Sequence, residues 1–333
     1  MINLGYTEFF SSQWKPEAEP GLQPARVTAV HRHEYGIMTE SGENTASLSG
    51  AFKHTLKAAS EMPCTGDFVL VKTAPHSQPQ IQRVLRRKTA FSRPNSAARA
   101  RKAAFVESSD EQMLAANFDY VIMIQSLNQN FNVNRLERYA SITRNSGAEA
   151  VVVLSKADLA DNIAPYTEMA AKAVLGADVI ALSAHTGQGI DVFGKYLKPG
   201  KTLVFLGSSG VGKSSLLNAL AGKELMEIRE INEGLGKGRH TTTHRQLLRL
   251  ECGVMIIDTP GIREIGLWEV SGGVSATFAD IEEIAVDCRF TNCAHSGEPG
   301  CAVDEAVRAG LVTRKRVNNY SKLKQESGPR RRK

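Results

Sequence analysis

Long apolar runs are missing from this chain. In 333 residues no stretch approaches the roughly 20 consecutive apolar positions of a membrane-spanning helix. The start, Met1-Ile2-Asn3-Leu4-Gly5-Tyr6-Thr7-Glu8, has no basic segment leading into an apolar one, so it does not read as a secretory signal. A soluble, cytoplasmic protein without a membrane partner is expected. Cysteine is scarce and odd in number, five in all, which in a cytoplasmic setting argues against a disulfide framework. Acidic residues are absent among Arg83, Arg86, Arg87, Lys88, Arg93, Arg99, Arg101 and Lys102, so that block cannot neutralise itself. No internal repeat is visible, which sets repeat architectures aside.

What is present allows two or three domains with sizeable cores, since 42% of the residues are hydrophobic. The net charge of +6 is concentrated in the block just named and in a tail carrying Arg314, Lys315, Arg316, Lys322, Lys324 and Arg330-Arg331-Arg332-Lys333. Such blocks suit a polyanion, because every phosphate they neutralise releases condensed counterions. Taken alone, each block also reads as a solvated linker or a frayed tail. Beside the motifs below, RNA contact is the stronger reading.

Residues 1–25 read as an extension with a short helix and a loop broken by Pro16, Pro20 and Pro24. Over 26–88 short alternating runs, among them Arg26-Val27-Thr28-Ala29-Val30 and Asp67-Phe68-Val69-Leu70-Val71, predict a small RNA-binding barrel of the OB type. The barrel is thin in aromatics (Tyr35, Phe52, Phe68), and Phe68 is expected in its core, so no stacking platform is evident. Residues 89–112 read as a basic linker. Over 113–270 apolar strands alternate with helices, which predicts a doubly wound α/β sheet. Residues 271–333 form a helical Cys/His-containing domain with the basic tail. A stripe there, Val303, Val307, Leu311, Val317, Tyr320 and Leu323, is expected to be mostly core packing.

The strongest motif is Gly207-Ser208-Ser209-Gly210-Val211-Gly212-Lys213-Ser214, a full GxxxxGK[ST] phosphate loop between the strand-like Thr202-Leu203-Val204-Phe205-Leu206 and a helix opening with Ser215. Its glycines let backbone N–H groups turn around a β-phosphate. Lys213 is expected to neutralise the β/γ oxygens and Ser214 to ligate Mg²⁺. Asp258-Thr259-Pro260-Gly261 ends another apolar strand, with Asp258 on the Mg²⁺ side and the Gly261 N–H toward the γ-phosphate. Between them Gly234-Leu235-Gly236-Lys237-Gly238-Arg239-His240-Thr241-Thr242-Thr243 reads as a nucleotide-ordered loop. Counting back from Asp258, Thr242 is the expected Mg²⁺ ligand, with Thr243 next.

The base-reading segments stand upstream of this loop, the reverse of the usual order. Ser155-Lys156-Ala157-Asp158 follows Val151-Val152-Val153-Leu154 and presents a carboxylate able to accept the N1–H and the 2-amino hydrogens of guanine. Adenine offers no such donor pair, so Asp158 predicts GTP over ATP. Lys156 would lie along the base, and Ser183-Ala184 would meet guanine O6 through the Ala184 N–H. Cys288-x4-Cys293-x-His295-x5-Cys301 supplies three thiols and an imidazole, the ligand set of a closed structural zinc site.

With base motifs ahead of the phosphate loop, the run Gly-Arg-His-Thr-Thr-Thr (238–243), Asp-Thr-Pro-Gly (258–261) and the Cys/His cluster, the chain resembles the circularly permuted ribosome small subunit-dependent GTPase A family along essentially its whole length. The resemblance implies an OB-fold, a permuted GTPase domain and a zinc domain. It also implies GTP hydrolysis stimulated by the small ribosomal subunit late in its maturation or quality control, rRNA binding and a monomeric chain. Two positions depart from the pattern: Ser155 stands where the family often has Asn or Thr, and Gly210 where potassium-activated GTPases have Asn. After the DxxG glycine, Ile262 replaces the glutamine that commonly orients the attacking water, so slow intrinsic turnover is expected. His240, His244 or a ribosomal group would then position the water. Two other readings stay open: an RNA-binding module that senses GTP and GDP with little turnover, and an ATP-dependent small-molecule kinase, which Asp158 opposes.

Overall fold

Alternation of apolar side chains builds the first unit. The computed structural model describes residues 1–31, 34–75, 77–94, 111–128, 130–208, 210–221, 246–258 and 271–327. Strands β1 (Leu22–Val30), β2 (Tyr35–Thr39), β3 (Gly42–Leu48), β4 (Phe68–Lys72) and β5 (Gln80–Val84) close in the order β1-β2-β3-β5-β4-β1. Ala25, Val27, Ile37, Ala46, Val69, Val71 and Ile81 fill the inside. A helix, Gly50–Thr55, capped by the Ser49 hydroxyl, lies between β3 and β4, giving the OB connectivity. Tyr35 is buried in this interior. Phe68, expected there, is instead buried on the other face of β4 against Phe10, Leu70 and Leu85, because neighbouring strand residues alternate faces. Pro24, read as part of a loop, is inside β1. That is tolerated because β1 pairs only with β4 there and β2 joins from Arg26 onward, leaving one side without a ladder to break.

In the basic stretch after the barrel, β6 (Ala90–Pro94) pairs antiparallel with β7 (Glu111–Ala116). The second sheet then forms from β8 (Tyr120–Ser126), β9 (Glu149–Ser155), β10 (Asp178–Ala181), β11 (Thr202–Leu206), β12 (Gln246–Arg249) and β13 (Met255–Asp258). Their order is β10-β9-β8-β11-β13-β12, parallel except for β12. These are fully buried strands, so both faces are apolar. Val121, Met123, Val152, Leu154, Val204 and Leu206 face one layer, which includes Leu136, Tyr139 and Ala140 of helix Val133–Ser146. Ile122, Ile124, Val151, Val153, Leu203 and Phe205 face the other, with Leu216 and Leu217 of helix Lys213–Ala221. The chain therefore leaves β8 toward one face and its neighbour β11 toward the opposite face. Such a divergence opens a crevice at the carboxyl ends of the strands, where doubly wound sheets bind ligands.

The two sheets are joined directly, Ala29 of β1 registering with Gln246 of β12. The buried Arg26 guanidinium ties the junction by donating to the carbonyls of Leu4, Gly66 (3.3 Å) and Asn117 (2.9 Å). On the other side, helices Ser271–Thr277 and Arg314–Ser327 pack against helix Val133–Ser146, and Ala279–Ala285 and Ala302–Arg308 pack beyond them. A Cβ on Gly273 would come within 2.1 Å of the Ser141 carbonyl oxygen, so that helix crossing requires glycine. Glu137 is buried and accepts from Arg316 Nη1 at 2.6 Å and from Asn319, while Arg316 also forks onto Asp280 at 2.9 Å. Removing one partner of such a pair strands a buried charge, at a cost of about 3–5 kcal/mol. Of the expected stripe, Val303, Val317, Tyr320 and Leu323 are buried, whereas Leu311 is 77% exposed. It lies in the turn after Gly310 (φ +76°), where helical spacing is broken.

Candidate nucleotide site and metal centre

The phosphate loop leaves β11 at the crevice. A Cβ on Gly207 would fall 2.9 Å from Val211 Cγ2 and 3.1 Å from the Ile124 carbonyl oxygen, so only glycine lets the loop lie this close to β8. Gly212 has φ +92°, a left-handed turn into the helix that follows. Val211 is buried under the loop, and Gly210 (φ +75°) sits at its tip. Lys213 Nζ arches back to the carbonyls of Gly207 (2.5 Å) and Ser208 (2.9 Å). Ser214 and Ser215 open helix Lys213–Ala221 on its exposed side.

Base-side residues arrive from β9 and β10. Ser155 ends β9 with its hydroxyl 2.5 Å from the Val211 carbonyl oxygen, tying the two upstream and downstream motifs together. The bracing that an asparagine amide would give is thus supplied by a hydroxyl. Ser155→Ala would leave the buried Val211 carbonyl unpaired, at about 1–3 kcal/mol, and is expected to weaken GDP binding roughly tenfold in a fluorescence titration. Unchanged affinity would mean that the tie carries no part of the pocket.

Lys156 takes a left-handed conformation (φ 59°), and the Ala157 N–H bonds the Leu182 carbonyl at 3.1 Å, seating this loop on the end of β10. Asp158 is exposed. The Ser183 hydroxyl, buried beneath it, bonds its carboxylate and holds it below the usual carboxylate range. The Ser183 oxygen also accepts the His185 and Thr186 N–H groups at 3.2 Å, so one side chain shapes the turn and holds the Asp158 carboxylate. The Ala184 N–H makes no hydrogen bond among the described residues. Asp258 is the last residue of β13, beside β11. Ser209, Thr242, Gly261, His240, His244 and Ile262 lie outside the described residues.

Two groups escaped the reading of motifs. Asn130 Nδ2 (3.2 Å) and Arg135 Nη1 (2.9 Å) both meet the Ser208 hydroxyl from the segment after β8. The available signal was the polar run Asn128-Gln129-Asn130 directly after an apolar strand.

In the C-terminal helical region the ligand atoms of Cys288, Cys293, His295 and Cys301 all lie within 4.8 Å of one another. His295 Nδ1 is 3.7 Å from Cys288 Sγ and 3.6 Å from Cys301 Sγ, and the two sulfurs are 4.0 Å apart. A tetrahedron with Zn–S bonds of about 2.3 Å has edges of roughly 3.8 Å, so the cluster fits zinc. Desolvation first, then the Cys301 and Cys288 thiols, push Cys293 up to about 12; three thiols this close ionise together only around a cation. Burial pushes His295 down, toward the neutral imidazole that metals take. The knuckle is shaped by Glu298, whose carboxylate accepts the N–H groups of Ala294 (2.9 Å) and Ser296 (2.7 Å) and is held at about 2 chiefly by those bonds. Sequence reading missed this residue too.

Known proteins agree with this architecture. A family model described as RsgA GTPase matches residues 84–268. The Small ribosomal subunit biogenesis GTPase RsgA 1 of Listeria innocua is 44% identical over 322 residues, covering 97% of this chain and 88% of that protein. The RsgA of Opitutus terrae is 38% identical over 336 residues, with 98% and 89% covered. Among solved structures, YjeQ from Thermotoga maritima superposes with a TM-score of 0.66 at 28% identity, covering 93% of this chain and all of that one. YloQ, described as a circularly permuted GTPase, has the same fold at a TM-score of 0.61 and 21% identity, covering 96% and 100%. Identity at this level over nearly the full length reflects common descent, and the inverted order of base and phosphate segments is inherited with it: the chain belongs to the RsgA GTPase family.

Proposed function

We propose that this GTPase acts in the cytoplasm on the small ribosomal subunit, in its late maturation or quality control, and that the subunit stimulates its GTP hydrolysis. The observation that carries the nucleotide reading is the Ser155–Val211 bond, which brings the base-reading loop and the phosphate loop to one crevice. Asp158 would accept from guanine, Ala184 N–H would donate to O6, and Lys213 would exchange its loop carbonyls for phosphate oxygens. Ser214, with Thr242 and Asp258 by their sequence positions, would hold Mg²⁺, which screens charge between the β- and γ-phosphates. Zinc in the Cys288/Cys293/His295/Cys301 cluster would be structural, since four protein ligands leave no open position.

The ribosomal reading rests on the names of the relatives, together with the basic block at 83–102 and the basic tail. Ile262 in place of glutamine supports slow turnover alone and acceleration by the subunit. Phosphate release should therefore rise at least about tenfold when small subunits are added, with a steep loss at high salt. Equal release with and without subunits would favour a GTP/GDP sensor instead.

A further inference from the structure

We propose that Arg135 is a catalytic residue of GTP hydrolysis, supplying from within the chain the positive charge that meets the β- and γ-phosphate oxygens as the bond between them breaks. Helix Val133–Ser146 starts at the crevice, on the β8 side of the phosphate loop, capped by the Asn132 side chain onto the Arg135 N–H at 3.1 Å. From its first turn the Arg135 guanidinium reaches the loop itself, with Nη1 2.9 Å from Ser208 Oγ. Asn130 holds the fork from behind, accepting on Oδ1 from Nη1 (3.1 Å) and Nη2 (3.2 Å). Asn130 is in turn fixed through its own N–H to Asn128 Oδ1 at 2.9 Å.

What sets this arginine apart is its company together with its place. Arg26 and Arg144 are likewise held by carbonyls without an ion pair among the described residues, but their hydrogen bonds go to the sheet junction and to the far end of the helix, away from the phosphate loop. Arg87 pairs with Asp67, Arg138 with Glu326, Arg314 with Asp304, and Arg316 with Glu137 and Asp280. Arg135 makes no ion pair among the described residues; only neutral oxygens hold it. A half-buried cation, positioned by amides and aimed at a loop that cradles phosphate, is arranged for an anion that arrives later. The Ser208 hydroxyl is a neutral placeholder that phosphate oxygens would outbid. In hydrolysis a water oxygen bonds to the γ-phosphorus while the bond from γ-phosphorus to the bridging oxygen breaks. Its electron pair stays on the β-phosphate of GDP, and the water proton leaves with inorganic phosphate. Negative charge therefore grows on the oxygens beside Ser208, where an arginine stabilises it more than it stabilises the ground state.

The inference rests on GTP occupying this crevice, so its test separates the two. Arg135→Ala and Arg135→Lys are compared with wild type for GDP affinity, single-turnover GTP hydrolysis and binding of GDP with aluminium fluoride, which mimics the transferring phosphoryl group. The expected result is a roughly 100- to 1000-fold slower hydrolysis in R135A. GDP affinity should stay within about threefold, the aluminium fluoride complex should be lost, and R135K should recover only part, since a point charge lacks the fork. A hydrolysis rate within threefold of wild type would overturn the proposal, as would a loss of GDP affinity matching the loss of rate, which marks a purely structural brace. Should R135A fold poorly, R135K alone decides, because it keeps charge and stem but not geometry. Failure of wild type to bind GDP would instead sink the nucleotide site as a whole.

Discussion

Replacing Asp158 by alanine is expected to abolish the preference for guanine over adenine nucleotides. The carboxylate would accept two hydrogen bonds from guanine, each charge-assisted and worth about 1.5–3 kcal/mol, so GTP affinity should fall roughly 100-fold or more while ATP affinity hardly changes. Asp158→Asn adds a sharper readout. Its amide turns one acceptor into a donor, and xanthine, with a carbonyl in place of the 2-amino group, should become the better ligand. The pH dependence follows from the Ser183 hydrogen bond, which holds the Asp158 carboxyl below its ordinary value of 3.8. A depressed carboxylate stays ionised at neutral pH and is neutralised only as pH falls through that lowered value. Guanine preference should thus be flat from about pH 5 to 8 and fade in stronger acid. Competition of GDP and ADP against a fluorescent guanine nucleotide measures all three. If D158A still chooses guanine, the crevice has been assigned to the wrong base contact.

Withholding zinc is expected to unfold the segment from Cys288 to Cys301 and loosen what depends on it. Structural zinc contributes about 10–16 kcal/mol in small sites of this kind, far more than that segment's few apolar contacts can replace. The damage should spread along a definite path. Cys301 is the N-cap of helix Ala302–Arg308, its sulfur accepting the Asp304 N–H at 3.4 Å, and Arg314 donates to the His295 carbonyl at 3.0 Å. It should stop where Arg316 is clamped by Glu137 and Asp280, because that network needs no metal. Hydrogen exchange after chelation should therefore rise over 288–308 and stay low in β8, β9 and β11. One zinc per chain by elemental analysis, and none in Cys293→Ser, complete the prediction. Protein that carries no zinc yet shows a protected 288–308 segment would contradict it.

The clamp and the phosphate loop also share one helix. Helix Val133–Ser146 carries Arg135 at the phosphate loop and, two positions on, Glu137 at the C-terminal helix. Neither contact could be read from a motif. Arg135 and Glu137 are unremarkable in a helix of this composition, and their partners lie 73 and 179 residues away. The phosphate loop, by contrast, was legible because its chemistry is local: glycines, a lysine and a serine stand at the fixed spacing that one ligand would require. The Cys/His cluster was legible for the same reason.

Local rules misled where a neighbour supplied or withdrew a constraint. Pro24 looked like a loop residue, yet a strand with one bare side accommodates it, and that bareness is a property of where β2 joins. Leu311 fitted a helical period that Gly310 interrupts. Within single segments, then, residue order was enough to mark the phosphate-loop motif, the Cys/His ligand set and the permuted order of segments, and to frame the base-choice prediction, because each depends on short-range stereochemistry. The closure of the barrel, its junction with the second sheet through Ala29 and Gln246, the Ser155 tie and the arginine at Ser208 arise from segments distant in the chain. Those pairings are selected by collective burial of apolar faces, a quantity that belongs to the assembled layers rather than to any stretch of residues.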